Sequence, residues 1–464
     1  MEANPTLSLV GDPTERLSMI EKLGGAVTGI GVLFLIIAAV TGASNPAFYL
    51  AMSLGLITVG GLTFIVERYL RKRHAGVQNN GIMFSPTTQR SIYTWILGIV
   101  LTGFYVVLYW FPQHMAGLVA TVEPLSQWMR GKPADQWFLY STLYSLAVFI
   151  MGIRAVLKYR HSRYQVIRSL SVMFFQIILA FIIPALLIMF QKPEFYFTYF
   201  WPLKYDYFFP GTLEGLEQAG GIGFFMARWA VVLAFVGVPI LTYFFGKRWY
   251  CSWVCGCGGL AETAGDQWRH LSSKKMTAWK IERWMIHSVL IFIIITTALV
   301  WLDRINGSPV LGGAGEHVSK AYGFLIGLVF AGVIGVGFYP LMGTRVWCRF
   351  GCPQAAILGL LQKYFSRFRI TTNSAQCISC GNCSQYCEMG IDVRHYAQRG
   401  QNIVRASCVG CGICATVCPR GVLKLESGPV AGRTTHAVLV PESAIIMPTR
   451  EDEGVSEWRE RTFT

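Results

Sequence analysis

Charge is scarce in this chain of 464 residues: Asp, Glu, Lys and Arg make up only 14% of it, against 53% hydrophobic residues. Mean hydropathy is +0.44. Soluble globular domains carry close to a quarter charged residues, so the composition excludes a soluble enzyme and indicates a membrane protein with a modest polar annex. Acidic residues are the scarcer sign, 25 against 40 Lys and Arg. A net charge of +15 would suit nucleic acid, but the basic residues fall in short clusters between apolar runs, as in the loops of a membrane protein. That placement argues against a nucleic-acid partner.

Cysteine is missing from the first 250 residues: all 13 lie between Cys251 and Cys418, each within a few residues of another. A disulfide scaffold scatters its cysteines through a short secreted chain, whereas tight runs beside a membrane region indicate metal ligation in a reducing compartment. Histidine is also sparse. Only His287 lies in an apolar run and no C-x-x-C-H occurs, which argues against a membrane haem. Residues 1–22 lack a basic stretch followed by a cleavage site, so the first apolar run is expected to remain as a helix.

Eight runs have the roughly 20 apolar residues needed to cross a bilayer: 24–43, 46–66, 91–111, 137–157, 171–190, 224–245, 284–302 and 322–342. Arg68, Arg71, Lys72 and Arg73 follow the second run; Lys158, Arg160, Arg163 and Arg168 follow the fourth; Lys247, Arg248, Arg269, Lys274, Lys275, Lys280 and Arg283 follow the sixth. The alternate loops carry pairs only, such as Arg130 with Lys132. The positive-inside rule then places both termini and every cysteine on the cytoplasmic side of an inner membrane. Segment 195–209 on the opposite side holds ten aromatic residues and is expected to form an interfacial belt, although such a segment also suits a quinone groove. Pro184, Pro239 and Pro340 are expected to kink their helices.

The sixth run ends Gly246-Lys-Arg-Trp-Tyr-Cys251-Ser-Trp-Val-Cys255 and the eighth ends Gly343-Thr-Arg-Val-Trp-Cys348-Arg-Phe-Gly-Cys352. Helices five with six and seven with eight are therefore two copies of one hairpin, each delivering a C-x3-C pair to the same face. Cys251, Cys255 and the additional Cys257, with Cys348 and Cys352, are candidates for a third metal or cluster site, for redox-active thiols, or for helix-end packing.

The strongest signal follows. Cys377, Cys380, Cys383 and Cys387 form one C-x2-C-x2-C-x3-C run, and Cys408, Cys411, Cys414 and Cys418 form another. C-x2-C pairs also bind zinc, but two full runs of this spacing point to two [4Fe-4S] clusters. In two-cluster ferredoxins the fourth cysteine of each run serves the other cluster. Cys377, Cys380, Cys383 and Cys418 are thus expected to hold one cluster, and Cys408, Cys411, Cys414 and Cys387 the other. Gly381, Gly410 and Gly412 suit a backbone folded tightly around a cofactor. Glu388 stands where the first run would have proline.

The order of hairpin, C-x3-C, hairpin, C-x3-C-P and two-cluster run, from about residue 165 to 425, resembles the membrane polyferredoxins. These are the polyferredoxin of the periplasmic nitrate reductase system, the membrane region of the nitrous oxide reductase regulator and the cytochrome cbb3 oxidase accessory proteins. The resemblance implies clusters that relay electrons, often from the quinol pool, and marks Cys251, Cys255, Cys348 and Cys352 as family hallmarks. Three features depart from it: Gly256 replaces a proline, the first four helices lie outside the matching core, and the tail is short.

The fold class expected is mainly α, a polytopic transmembrane bundle of about eight helices with a C-terminal α+β two-cluster ferredoxin-like domain. Its divisions are an N-terminal segment (1–22), a four-helix extension (23–164), a four-helix core (165–369), the ferredoxin domain (370–427) and a tail (428–464). The function expected is that of an electron-transfer subunit rather than a stand-alone enzyme, partnered by membrane lipid, a redox protein or respiratory complex, and quinone. The alternative is a maturation factor that uses redox-active cysteines on a respiratory oxidase or reductase.

Overall fold

The computed structural model describes residues 17–71, 87–305 and 314–428. The expectations for residues 1–16, for Lys72 and Arg73, and for the tail beyond 428 fall outside these. Among the described residues, eight helices are long and apolar enough to span a bilayer: α1 (Met19–Thr41), α2 (Pro46–Arg71), α3 (Ile92–Trp110), α4 (Gln136–Lys158), α5 (Arg163–Met189), α6 (Gly221–Phe245), α7 (Met276–Arg304) and α8 (Ala314–Ile334). The chain is a multi-pass membrane protein, and the lipid-facing stripe is plain on α3, where Ile92, Trp95, Ile96, Ile99 and Val100 are all exposed.

Local chemistry sets the helix ends. Ser18 caps α1 in a reciprocal box with Glu21, Asn45 caps α2 ahead of Pro46, and the Asp135 carboxylate accepts from the Phe138 N–H at 2.7 Å to start α4. Helices α1 and α2 touch backbone to backbone: a Cβ on Gly24 would lie 2.8 Å from the Gly60 carbonyl, and one on Gly60 2.6 Å from that of Gly24. Small residues permit this approach in a bilayer, where dispersion contacts rather than the hydrophobic effect hold helices together.

Two expectations are corrected. The eighth run does not continue as one helix to residue 342. Helix α8 ends at Ile334, the chain turns through 335–338, and a separate short helix covers Tyr339–Met342. Gly337 packs so closely on Thr102 of α3 that a Cβ would lie 2.5 Å from its hydroxyl, and Pro340 contributes no backbone donor.

Segment 195–209 is likewise not a surface belt but turns into the bundle. Phe195, Phe200 and Tyr207 are buried, Phe195 and Tyr207 are stacked at 4.7 Å, and Phe200 lies 4.8 Å from the Tyr250 ring beside Cys251. The Trp201–Pro202 peptide is cis. Non-helical backbone at this depth must find polar partners inside the protein. The aromatics supply them: Tyr250 Oη donates to the Thr198 carbonyl at 3.0 Å, Trp229 to Phe197 at 3.0 Å and Trp301 to Phe208 at 2.9 Å.

After α8, helix Pro353–Tyr364 leads into the cysteine-rich region, framed by an antiparallel pair, β1 (Arg369–Thr372) and β2 (Leu423–Glu426), with Arg369 opposite Glu426. The region packs against the membrane core rather than hanging from it, and the described residues up to Gly428 form one compact unit.

Candidate iron–sulfur sites and the buried charge cluster

The two four-cysteine runs fold as near copies. Gly381 and Gly412 adopt φ of +83° and +75° and each precedes a single helical turn, Asn382–Gln385 and Ile413–Thr416. Each fourth cysteine accepts a backbone N–H four residues on: Ile391 to Cys387 Sγ and Val422 to Cys418 Sγ, both at 3.4 Å. The repeat crosses the fourth cysteines over. One cavity of about 350 Å³, counting the space open at its mouth, is lined by Cys377, Cys380, Cys383 and Cys418. A second, of about 380 Å³, is lined by Cys408, Cys411, Cys414 and Cys387. Among the described residues, no three cysteine sulfurs come within 4.8 Å of one another. A single zinc draws its thiolates to about 2.3 Å from one centre, so the cavities fit a cluster and not that ion.

The two cavities differ in setting. Cys380 is the one exposed cysteine, whereas Cys408 and Cys414 are buried. The second binding loop is held by side chains from the membrane core: Tyr164 Oη donates to the Gly410 carbonyl at 2.7 Å, Gln165 to Cys411 at 2.9 Å, Ser252 to Val409 at 2.8 Å and Gln362 to Cys408 at 2.8 Å. The second site is thus built against the bundle.

The membrane cysteines repeat as the sequence pattern requires. Gly246 and Gly343 both have positive φ, of +68° and +92°; the Cys255 N–H donates to Tyr250 at 2.8 Å and the Cys352 N–H to Trp347 at 3.0 Å. Cys251, Cys255, Cys348 and Cys352 are buried, and Cys257 packs against both copies. The Cys257 thiol donates to Cys255, whose pKa is lowered mainly by that bond, while burial pushes the Cys251 thiol up to about 12. The departure at Gly256 has a steric cause. A Cβ there would lie 2.5 Å from Tyr199 Oη and 2.8 Å from Gln176 Oε1, while Tyr144 of α4 donates to the Gly256 carbonyl at 2.8 Å.

Sequence reasoning missed a group of buried charges between the two cysteine systems. Asp266 accepts from Lys158 at 2.5 Å, from Tyr159 at 2.8 Å and from Arg269 at 2.7 Å. Glu262 pairs with Arg168, with Arg345 at 2.7 Å and with Arg269 at 3.3 Å, and Glu388 pairs with Arg345 at 2.9 Å. Arg345 also reaches the Cys251 carbonyl at 3.1 Å and Cys348 Sγ at 3.7 Å. Glu262, Glu388 and Cys411 bring ligand-type atoms within 4.8 Å of one another. Burial and the neighbouring Glu262 drive Glu388 up from the usual carboxylate range, whereas at Glu262 the arginines outweigh burial and hold it down. The available signal was Glu388 itself, an acid where the motif has proline.

Eight spanning helices and paired four-cysteine cavities define an integral-membrane iron–sulfur protein. A family model described as a 4Fe-4S binding domain matches residues 227–277 and 323–372, one stretch for each C-x3-C hairpin, and a 4Fe-4S dicluster domain matches 376–423. The putative electron transport protein YccM of Escherichia coli is 27% identical over 177 residues, covering 36% of this chain and 47% of YccM. The ferredoxin-type protein NapH of Haemophilus influenzae is 26% identical over 163 residues (33% and 53%), and the methylamine utilization ferredoxin-type protein MauN of Methylobacillus flagellatus 28% over 160 (33% and 54%). The chain is similar to these electron-transport and ferredoxin-type proteins over about a third of its own length, in keeping with the resemblance its motifs carry. It spans about half the length of the curated relatives it matches. No solved structure matches it.

Proposed function

We propose that the chain is a membrane-bound electron-transfer protein that relays electrons through two [4Fe-4S] clusters within a respiratory chain, exchanging them with the quinone pool. Cys377, Cys380, Cys383 and Cys418 hold the first cluster, and Cys408, Cys411, Cys414 and Cys387 the second. The observation that carries this reading is the pair of cavities, each lined by four cysteines in the crossed arrangement. When bound, such clusters supply one-electron steps at potentials set by charge, hydrogen bonds and exposure. The Ile391 and Val422 N–H groups temper the charge on the fourth thiolates, and the membrane core fixes the second loop.

The quinone link is supported by a cavity of about 750 Å³, counting open space, at the cytoplasmic end of α7 and α8. Phe330, Ile334, Met285 and Met342 make apolar walls, and Ser272, Ser273, Arg345 and Arg349 make a polar edge. The basic loops support a reading in which the clusters lie on the cytoplasmic side of the inner membrane. The extension formed by 23–164 supports the core through Tyr144 and Lys158.

The convergence of five membrane cysteines favours a second reading, that of a maturation factor whose thiols or third centre reduce a partner. Iron and sulfide analysis, with EPR-monitored redox titration in the presence of quinol, tests both. About eight irons per chain and quinol-reducible signals support the relay. About twelve irons move Cys251, Cys255, Cys348 and Cys352 into a third cluster. Reduction by low-potential ferredoxin and never by quinol removes the quinone link. Electron flow that survives Cys251→Ser and Cys348→Ser while a partner's metallation fails favours maturation.

A further inference from the structure

We infer that the face around Cys380 is a docking surface for a small acidic electron-carrier protein. The inference rests on the relay proposed above and names its soluble partner by chemistry. Of the 13 cysteines only Cys380 is exposed, so a partner approaches the first site most closely there. Its neighbour Ile378 is 58% exposed, an apolar contact beside the ligand. The same cavity mouth is lined by Arg394 and Arg420. Both are exposed, and among the described residues neither guanidinium has a carboxylate partner.

The imbalance extends over the domain. From residue 370 to 428 the exposed charged side chains are Arg394, Arg399, Arg420 and Lys424 against Asp392 alone, because Glu388 and Glu426 are buried. Asp392 is engaged, accepting from Ser384 at 2.7 Å. An apolar contact at the reacting ligand with cations around it is the surface that an acidic carrier complements. Redox encounters of this kind use small interfaces and depend on electrostatic steering. One electron crosses per encounter, lost by one partner and gained by the other, and no bond is made or broken.

The test uses the full-length, cluster-loaded protein in detergent, titrated with an oxidised acidic flavodoxin so that binding is read without turnover. Between about 0.02 M and about 0.3 M salt, where the Debye length shrinks from tens of ångströms to a few, Kd should rise about tenfold or more. At low salt Arg394→Glu with Arg420→Glu should weaken binding about tenfold with iron content unchanged, and the milder Arg→Gln pair should weaken it less. A basic cytochrome c should prefer the Glu variant.

Flavodoxin affinity indifferent to these changes, or a wild-type preference for cytochrome c, would overturn the inference. So would displacement of flavodoxin by phosphatidylglycerol vesicles, which would assign the cations to anionic lipid. If flavodoxin docks as stated while the clusters fail to cycle with quinol or carrier, the surface stands and the relay falls. If the clusters cycle with small mediators while flavodoxin does not bind, the relay stands and the surface falls.

Discussion

Ser379 and Gly410 occupy the same place in the two cysteine runs, with φ of +57° and +64°, and their surroundings decide what each tolerates. A left-handed conformation costs a non-glycine residue about 1–2 kcal/mol. At Ser379 the hydroxyl recovers part of this by accepting from Gln398 at 2.9 Å, in an exposed position. Ser379→Gly should therefore be close to neutral in thermal midpoint and iron content. At Gly410 a Cβ would lie 2.6 Å from that of Arg248 and 3.0 Å from the Phe368 ring. Gly410→Ser should cost more than about 2 kcal/mol, backbone strain and overpacking together, and should lose iron from the second site only.

Gly256 offers a second comparison at this scale. Proline is favoured at a first helical position, and its counterpart in the other hairpin is Pro353, yet Tyr199 and Gln176 close the space at 256. Gly256→Pro should lower stability by about 1–3 kcal/mol, and adding Tyr199→Phe, which removes the nearest atom, should recover part of the loss. Thermal unfolding of the single and double variants in detergent checks this. An unchanged midpoint in the single variant would show that the hairpin does not need the gap.

At the scale of elements, the proposed crossing of the ligand sets makes a prediction that uncrossed sets contradict. Cys418 follows Cys408, Cys411 and Cys414 in the chain but lines the cavity of Cys377, Cys380 and Cys383. Cys418→Ser should halve the iron and remove the signal of the exposed cluster, while Cys387→Ser should remove that of the buried one. EPR of each variant with a fast-relaxing anionic paramagnetic ion complex in solution distinguishes the two by exposure. The opposite assignment would mean that each run serves its own cluster.

The spanning helices and cysteine repeats were legible in the sequence because both are local patterns: some twenty apolar residues in a row, or thiols three and four residues apart. Segment 195–209 was misread because composition cannot tell aromatics lining an interface from aromatics donating to a buried loop. Only the positions of Tyr250, Trp229 and Trp301, each more than thirty residues downstream in the chain, separate the two. The break after Ile334 was hidden for a related reason, since 335–342 is as apolar as the helix before it.

On the scale of the whole molecule, Arg154 and Lys158 of α4, Arg168 of α5, Arg269 and Arg345 meet three carboxylates, Glu262, Asp266 and Glu388, in a buried group joining the extension, the core and the ferredoxin region. These partners lie 43 to 119 residues apart where they are not neighbours, so no sequence window contains them. Five cations face three carboxylates, so loss of one acid leaves charge uncompensated in a low-dielectric site. Asp266→Asn should destabilise by about 3–5 kcal/mol, the cost of breaking a buried pair from one side.

The same group sets the response to acid. Burial opposes ionisation of Asp266, but Lys158, Arg269 and Arg154 outweigh it and hold the carboxyl well below its ordinary range. A carboxyl lowered in the folded state contributes stability above its unfolded pKa, and that contribution is lost as pH falls below about 4. His270, one residue beyond Arg269, works in a higher window. Burial depresses it from 6.5 to about 4, so the unfolded chain takes up the proton first and stability falls as pH drops from 6.5 towards 4. Glu388, raised by burial to about 7, works against it over the same window, because there the folded state takes up the proton first. The His270 contribution is therefore read from thermal midpoints in detergent, from pH 8 to pH 3, as a difference between variant and wild type. His270→Gln should gain in midpoint relative to wild type as pH falls from 6.5 to 4 and leave the decline below pH 4 in place. Asp266→Asn should start from a lower midpoint and lose the decline below pH 4. A difference between His270→Gln and wild type that stays level from pH 8 to pH 4 would show that His270 is not shielded in the working protein, and an Asp266→Asn midpoint equal to wild type would show that the carboxylate does not compensate the cations around it.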